Sequence, residues 1–120
     1  DSVEIFRRDT LSKQNVQIVD ITQHIEDTLD SVQKKLFEKA KKFNKENTHY
    51  ADNFEDFKEK INLGGFVYAH WDGTSDTENT IKKITKATIR TIPLNEKSEK
   101  GICVYSGKPS TRRVVFAKSY

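Results

Sequence analysis

The sequence has no methionine, one cysteine, two prolines and one tryptophan, and no apolar run near the ~20 residues that span a bilayer. With Cys103 alone, an internal disulfide is excluded and a thiolate metal site cannot be built from cysteine. A chain without disulfides suits a reducing cytoplasm. No signal-peptide pattern opens the chain, and no membrane partner is expected. Since methionine is absent and the large Asp1 stands first, translation is expected to begin upstream, making the chain part of something longer. Apolar residues are also scarce: they make up 34% against 32% charged, at a mean hydropathy of −0.77. At 120 residues and 13.9 kDa, this fits one domain, or a small domain plus a piece of a neighbour, with a thin core. An aromatic content of 10% argues for folding and against disorder.

Catalytic patterns are equally scarce. His24, His49 and His70 lack the paired spacing of a zinc helix, and no phosphate-cradling glycine motif surrounds Gly64-Gly65. Cys103 lies in a β-prone run with apolar neighbours, which suits a buried thiol better than a reactive one. From the residues alone, this is a binding or support module without an active site.

What is present begins with an uneven charge. Residues 1–63 carry 11 basic and 13 acidic groups, and residues 64–120 carry 10 and 5. Lys34, Lys35, Lys39, Lys41, Lys42 and Lys45 crowd a stretch opposed only by Glu38. That density could meet a phosphate backbone, and it equally suits a solvated helix face. Residues 3–8 read as a short strand whose partners are expected outside this chain. From Asp20, apolar residues Ile21, Ile25, Leu29, Val32, Leu36, Ala40 and Phe43 recur at helical spacing. The helix they predict has about 26 residues and a length of roughly 40 Å. A second helix is expected from a cap at Asp52 through Phe54, Phe57 and Ile61 to a stop at Gly64-Gly65.

Beyond Gly65 the period changes. Residues 66–71 read as a strand, a helix capped by Ser75 and Glu78 runs to about Lys86, and residues 87–92 form a strand ended by Pro93. Ile102–Tyr105 and Arg112–Lys118 flank Ser-Gly-Lys-Pro-Ser and read as a hairpin. The fold class is α+β, with a layer of helices on a mainly antiparallel sheet, preceded by a long helix.

Several segments carry a resemblance. They are Gly64-Gly65-Phe66-Val67-Tyr68-Ala69-His70-Trp71-Asp72-Gly73, Lys86 to Leu94, Gly107-Lys108-Pro109 and Val115 to Tyr120. In this order and spacing they resemble the C-terminal domain of prolyl-tRNA synthetases of the archaeal/eukaryotic-like type, and the likeness covers the whole chain. Glu4 to Thr10 is similar to the last strand of the anticodon-binding domain that precedes it. The resemblance implies residues 1–15 as the end of that domain, 16–63 as a helical linker region and 64–120 as a β-α-β-α-β-like tail. It also implies a parent enzyme, commonly a homodimer, that activates proline with ATP and Mg²⁺ and joins it to its tRNA. No catalytic residue of that class falls on this chain, so a structural and docking role is expected, partnered by the other domains.

Many members hold zinc with four cysteines, and the matching positions here are Asp72, Thr77, Cys103 and Ser106. Only one thiolate remains, so no zinc is expected; a hydrogen-bonded cluster of Asp72, Thr77 and Ser106 could join the same loops. A rival set of His70, Asp72 and Cys103 with water is weaker. Arg7, Arg8 and Lys13 lie where tRNA contact is implied, with an ion pair to Asp9 as the alternative. Terminal Tyr120 is implied to reach back to the catalytic domain. Two other readings remain: a free-standing basic RNA-binding module and a degenerate zinc ribbon that makes protein contacts.

Overall fold

A computed structural model describes residues 1–118 and divides the chain into two compact units, Asp1–Phe43 and Asn44–Tyr120. In the first unit, strand β1 (Ser2–Arg7) pairs antiparallel with β2 (Ser12–Gln17), in a register running from Ser2 opposite Gln17 to Arg7 opposite Ser12. The strand expected to lack a partner therefore has one within the chain. β2 escaped notice because Ser-Lys-Gln-Asn-Val-Gln carries one apolar residue and no alternation. A 3₁₀ turn at Ile18–Asp20 leads into helix α1 (Ile21–Glu46), whose length matches the predicted periodicity. No residue of α1 is buried, and Leu29, Leu36, Phe37 and Phe43 are all more than half exposed.

The second unit is a four-stranded sheet in the order β3-β4-β8-β5. The strands are β3 (Thr48–Ala51), β4 (Phe66–His70), β5 (Ala87–Thr91) and β8 (Arg113–Lys118). β3 and β4 are parallel, whereas β8 runs antiparallel to both β4 and β5, so the sheet is mainly antiparallel. Helices α2 (Phe54–Leu63) and α3 (Ser75–Thr85) contribute Phe57, Ile61 and Ile81 to one core with Val67, Ala69, Ala87, Val114 and Phe116. These strand residues alternate along β4 and β8 and share one face, so both helices cover the same side. The Phe57 and Phe116 rings meet edge to face at 5.0 Å at the centre.

Three details depart from the sequence reading. The sequence reading has no strand between its first two helices, yet Thr48–Ala51 is the edge strand that makes the β-α-β unit with α2 and β4. The caps lie one residue from the expected ones: Asn53 Oδ1 accepts from the Asp56 amide, and Thr74 Oγ1 accepts from the Thr77 amide. The final hairpin is far shorter. Two-residue strands β6 (Gly101–Ile102) and β7 (Pro109–Ser110) pair with each other, while β8 inserts between β4 and β5. Burial explains this choice, because Val114, Val115 and Phe116 are all enclosed only in the main sheet.

Gly64 and Gly65 stop α2 as predicted. Gly64 has φ of 90° and its amide donates to the Ile61 carbonyl, while Gly65, at φ 83°, lets Phe66 N–H reach the Asn47 carbonyl at 2.8 Å.

Candidate functional site

Asp72 stands two residues past the end of β4, after Trp71, and the Asp-Gly-Thr-Ser stretch turns the chain into α3. Its carboxylate collects four hydrogen bonds. Oδ1 accepts from Thr74 N–H at 3.0 Å and from Thr74 Oγ1 at 2.8 Å. Oδ2 accepts from Thr77 Oγ1 at 2.7 Å and from Ser106 Oγ at 2.6 Å. Burial would raise the Asp72 pKa, but the hydrogen bonds from Ser106, Thr77 and Thr74 outweigh it and hold the carboxyl well below the usual carboxylate range. Two hydroxyls also accept in turn, Thr74 Oγ1 from the Thr77 amide and Ser106 Oγ from the Lys108 amide. The loop after β4, the first turn of α3 and the β6–β7 turn are thus joined through one carboxylate. The sequence singled out Asp72, Thr77 and Ser106 but not Thr74, although aspartate two residues before threonine is a recognised local turn pattern.

Cys103 is 2% exposed; its amide donates to the Lys108 carbonyl and its carbonyl accepts from Gly107. The thiol is a packed element of the turn. A structural zinc takes four sulfur or nitrogen ligands. Here Cys103 is accompanied by one carboxylate and two hydroxyls whose protons are committed to that carboxylate, so a cation would have to displace the hydrogen bonds. Among the described residues, no three of His, Cys, Asp or Glu gather around a common point. The residues present do not fit zinc, and the set of His70, Asp72 and Cys103 does not assemble.

His70 belongs to a second cluster. The ring is buried, Nδ1 shares a hydrogen bond of 2.9 Å with Ser110 Oγ, and Nε2 lies 3.5 Å from Glu99 Oε1 without a hydrogen-bond partner among the described residues. Glu99 takes a two-pronged hydrogen bond from Arg113, which also donates to Asp52 and to the Ala51 carbonyl. Hydrogen bonding from Arg113 lowers the Glu99 pKa, and the same pairing raises that of Arg113. Nothing in the sequence pattern announces this group, whose members come from four separate segments.

In the first unit, Arg7 donates to both Asp9 oxygens, the shorter contact at 2.8 Å, and to Ser31 Oγ at 3.2 Å. Lys13 pairs with Glu4 across the hairpin at 2.8 Å, and Arg8 is exposed. The expected contact residues are therefore brought onto one hairpin, two of them already paired. Tyr120 lies outside the described residues. No helix among them is long and apolar enough to cross a membrane.

Comparison with known proteins places this geometry in a family. The family model described as prolyl-tRNA synthetase, C-terminal, matches residues 54–120. A proline–tRNA ligase of Porphyromonas gingivalis is 52% identical over 120 residues, covering 100% of this chain and 24% of its own length. Those of Flavobacterium johnsoniae and Azobacteroides pseudotrichonymphae are 52% and 48% identical, again over 24% of their length. The chain thus spans about a quarter of the relatives it matches. By the match across residues 54–120 and the identity along its whole length, the chain belongs to the prolyl-tRNA synthetase C-terminal family.

Proposed function

We propose that the chain is the C-terminal module of a cytoplasmic proline–tRNA ligase, which activates proline with ATP and Mg²⁺ and esterifies it to its tRNA. The observation that carries this reading is the identity of about half to proline–tRNA ligases over the full 120 residues. The module itself is non-catalytic and serves as structural support and docking for the catalytic and anticodon-binding domains of a homodimeric parent. Residues 1–15 are the end of the anticodon-binding domain and 16–63 a helical linker region leading to the tail at 64–120; β3 and α2, which share that tail's sheet and core, join it structurally. Of the residues assigned to tRNA contact, Arg8 is the best placed, because Arg7 and Lys13 already hold Asp9 and Glu4. Tyr120 is assigned to docking on the catalytic domain.

Proline-dependent ATP–pyrophosphate exchange by the natural polypeptide containing this chain tests the reading. Exchange with a band several times larger than 13.9 kDa is expected; a band near that mass without exchange would overturn it. A free-standing RNA-binding module draws support from the exposed Lys34, Lys35, Lys39 and Lys41 on α1. It requires RNA affinity that falls steeply with salt.

A further inference from the structure

We infer that the Asp72 carboxylate does in this chain the work that a metal ion would do at the same place, making the tail a metal-free member of its family; the inference rests on the reading of the chain as a proline–tRNA ligase module. A structural metal links distant segments by drawing several donors to one centre, and its binding energy becomes folding energy. Oδ1 and Oδ2 of Asp72 do this with inverted polarity. Donors from Thr74, Thr77 and Ser106 point their protons at a central anion, where a metal site would point lone pairs at a central cation. The longest link closes 34 residues between Asp72 and Ser106.

The three side chains that meet at Oδ2 are Asp72 itself, Thr77 and Ser106, and Cys103 stands in the same turn as Ser106, three positions before it. A backbone bond of 2.9 Å from Val104 N–H to the His70 carbonyl holds that turn against the end of β4, and the Gly107 amide closes it on the Cys103 carbonyl. The turn is therefore positioned by backbone hydrogen bonds in which the cysteine sulfur takes no part. Charge-assisted hydrogen bonds are roughly twice as strong as neutral ones, which lets one carboxylate with four donors hold two loops. The same convergence has a constructive corollary. Replacing the three oxygen-bearing side chains by cysteine leaves Cys103 as the fourth thiol of a set that zinc accepts.

The test uses the full-length natural protein, grown with zinc and read in three ways. Metal analysis of the wild type is expected to give far less than one zinc per chain, and hydrogen–deuterium exchange of residues 71–77 and 103–108 is expected to be the same before and after chelator. Asp72→Asn is expected to speed exchange in those segments at least tenfold, and the milder Ser106→Ala, which removes one donor and leaves the fold room to persist, several-fold. The triple variant Asp72→Cys, Thr77→Cys, Ser106→Cys is expected to gain one zinc per chain and chelator-sensitive exchange in the same segments. Stoichiometric zinc in the wild type, unchanged exchange in Ser106→Ala, or no zinc in the triple variant would each overturn the inference. Pyrophosphate exchange measured on the same protein reports separately on the underlying functional reading.

Discussion

Arg113 Nη2 lies 2.6 Å from Asp52 Oδ1, although 61 residues separate them in sequence. The same guanidinium forks onto Glu99 and donates to the Ala51 carbonyl, so one side chain at the start of β8 holds the end of β3 and the loop before β6. The Arg113 side chain is 12% exposed while Asp52 and Glu99 stay wet, which makes the arrangement a set of charge-assisted hydrogen bonds more than a buried ion pair.

Removing this fork should therefore loosen the sheet edge. Arg113→Ala is expected to destabilise the 120-residue chain by about 2 kcal/mol, the scale of lost hydrogen bonds to charged groups, with water taking over at the exposed Asp52 and Glu99. Arg113→Lys keeps the charge but not the planar fork and should lose a smaller part. Denaturant unfolding followed by the fluorescence of Trp71, the single tryptophan, measures both. Equal stability of Arg113→Ala and wild type would show that the contacts carry no net weight.

Gly101 poses a different demand. Its backbone needs no unusual φ, but a Cβ there would lie 2.3 Å from His70 Nε2, closer than any real contact. The imidazole cannot swing aside without breaking its bond to Ser110. Gly101→Ala is thus expected to cost about 1–3 kcal/mol as an overpacking change. His70→Ala in the same chain should recover part of that loss, a coupling that a double-mutant cycle reads directly. Strict additivity of the two changes would dissociate the glycine from the histidine.

The two glycines after α2 separate space from backbone conformation. Both have positive φ, at 90° and 83°. A Cβ on Gly64 would meet nothing within 4 Å, so Gly64→Ala should cost only the backbone strain, about 1–3 kcal/mol, of a conformation (φ 90°, ψ 177°) that glycine alone adopts readily. On Gly65 the Cβ would fall 2.1 Å from the Asn47 carbonyl oxygen, the atom that Phe66 N–H uses to join β4 to the turn before β3. Gly65→Ala should be the more damaging by at least about 1 kcal/mol, since backbone atoms must move. Matched unfolding curves for the two variants would refute the distinction.

These examples mark where the sequence was readable. Apolar spacing predicted α1 and α2 and a capping pattern predicted α3, while α2 and β5 end ahead of Gly64-Gly65 and Pro93, where glycine and proline demand it. β2 and β3 were missed because their pairing comes from partners, Val3 to Phe6 for the one and the buried β4 for the other, while β2 is mostly polar and β3 has only four residues. The last hairpin was misjudged for a related reason: local turn chemistry at Ser-Gly-Lys-Pro-Ser was right, but the burial of Val114 and Phe116 decided which sheet took β8. In the site, Asp72, Thr77 and Ser106 were legible through the family's spacing. Arg113, Asp52, Glu99 and His70 were not, since each is an ordinary charged or polar residue until folding brings it beside the others.

Acid provides the sharpest check on the Asp72 cluster. Its carboxyl pKa is lowered in the folded chain, so the native state prefers the charged form more than the unfolded chain does, whose aspartates titrate near ~3.9. The unfolded state therefore binds more protons as pH falls through that value. The stabilisation is fully present above the unfolded pKa and is lost as pH drops from there toward the lower folded pKa. Glu99, lowered by Arg113, adds to the same acid limb with the same sign, though its exposure leaves it the weaker contributor. Unfolding of the second unit, followed through Trp71, is expected to shift to lower denaturant between neutral pH and pH of about 3. Asp72→Asn should start less stable at neutral pH and show a flatter acid limb, because its amide cannot take up the proton that the wild-type carboxylate gains on unfolding. An Asp72→Asn chain with the full wild-type slope would assign the acid sensitivity to other carboxylates and remove the charged centre from the account of how these loops are held.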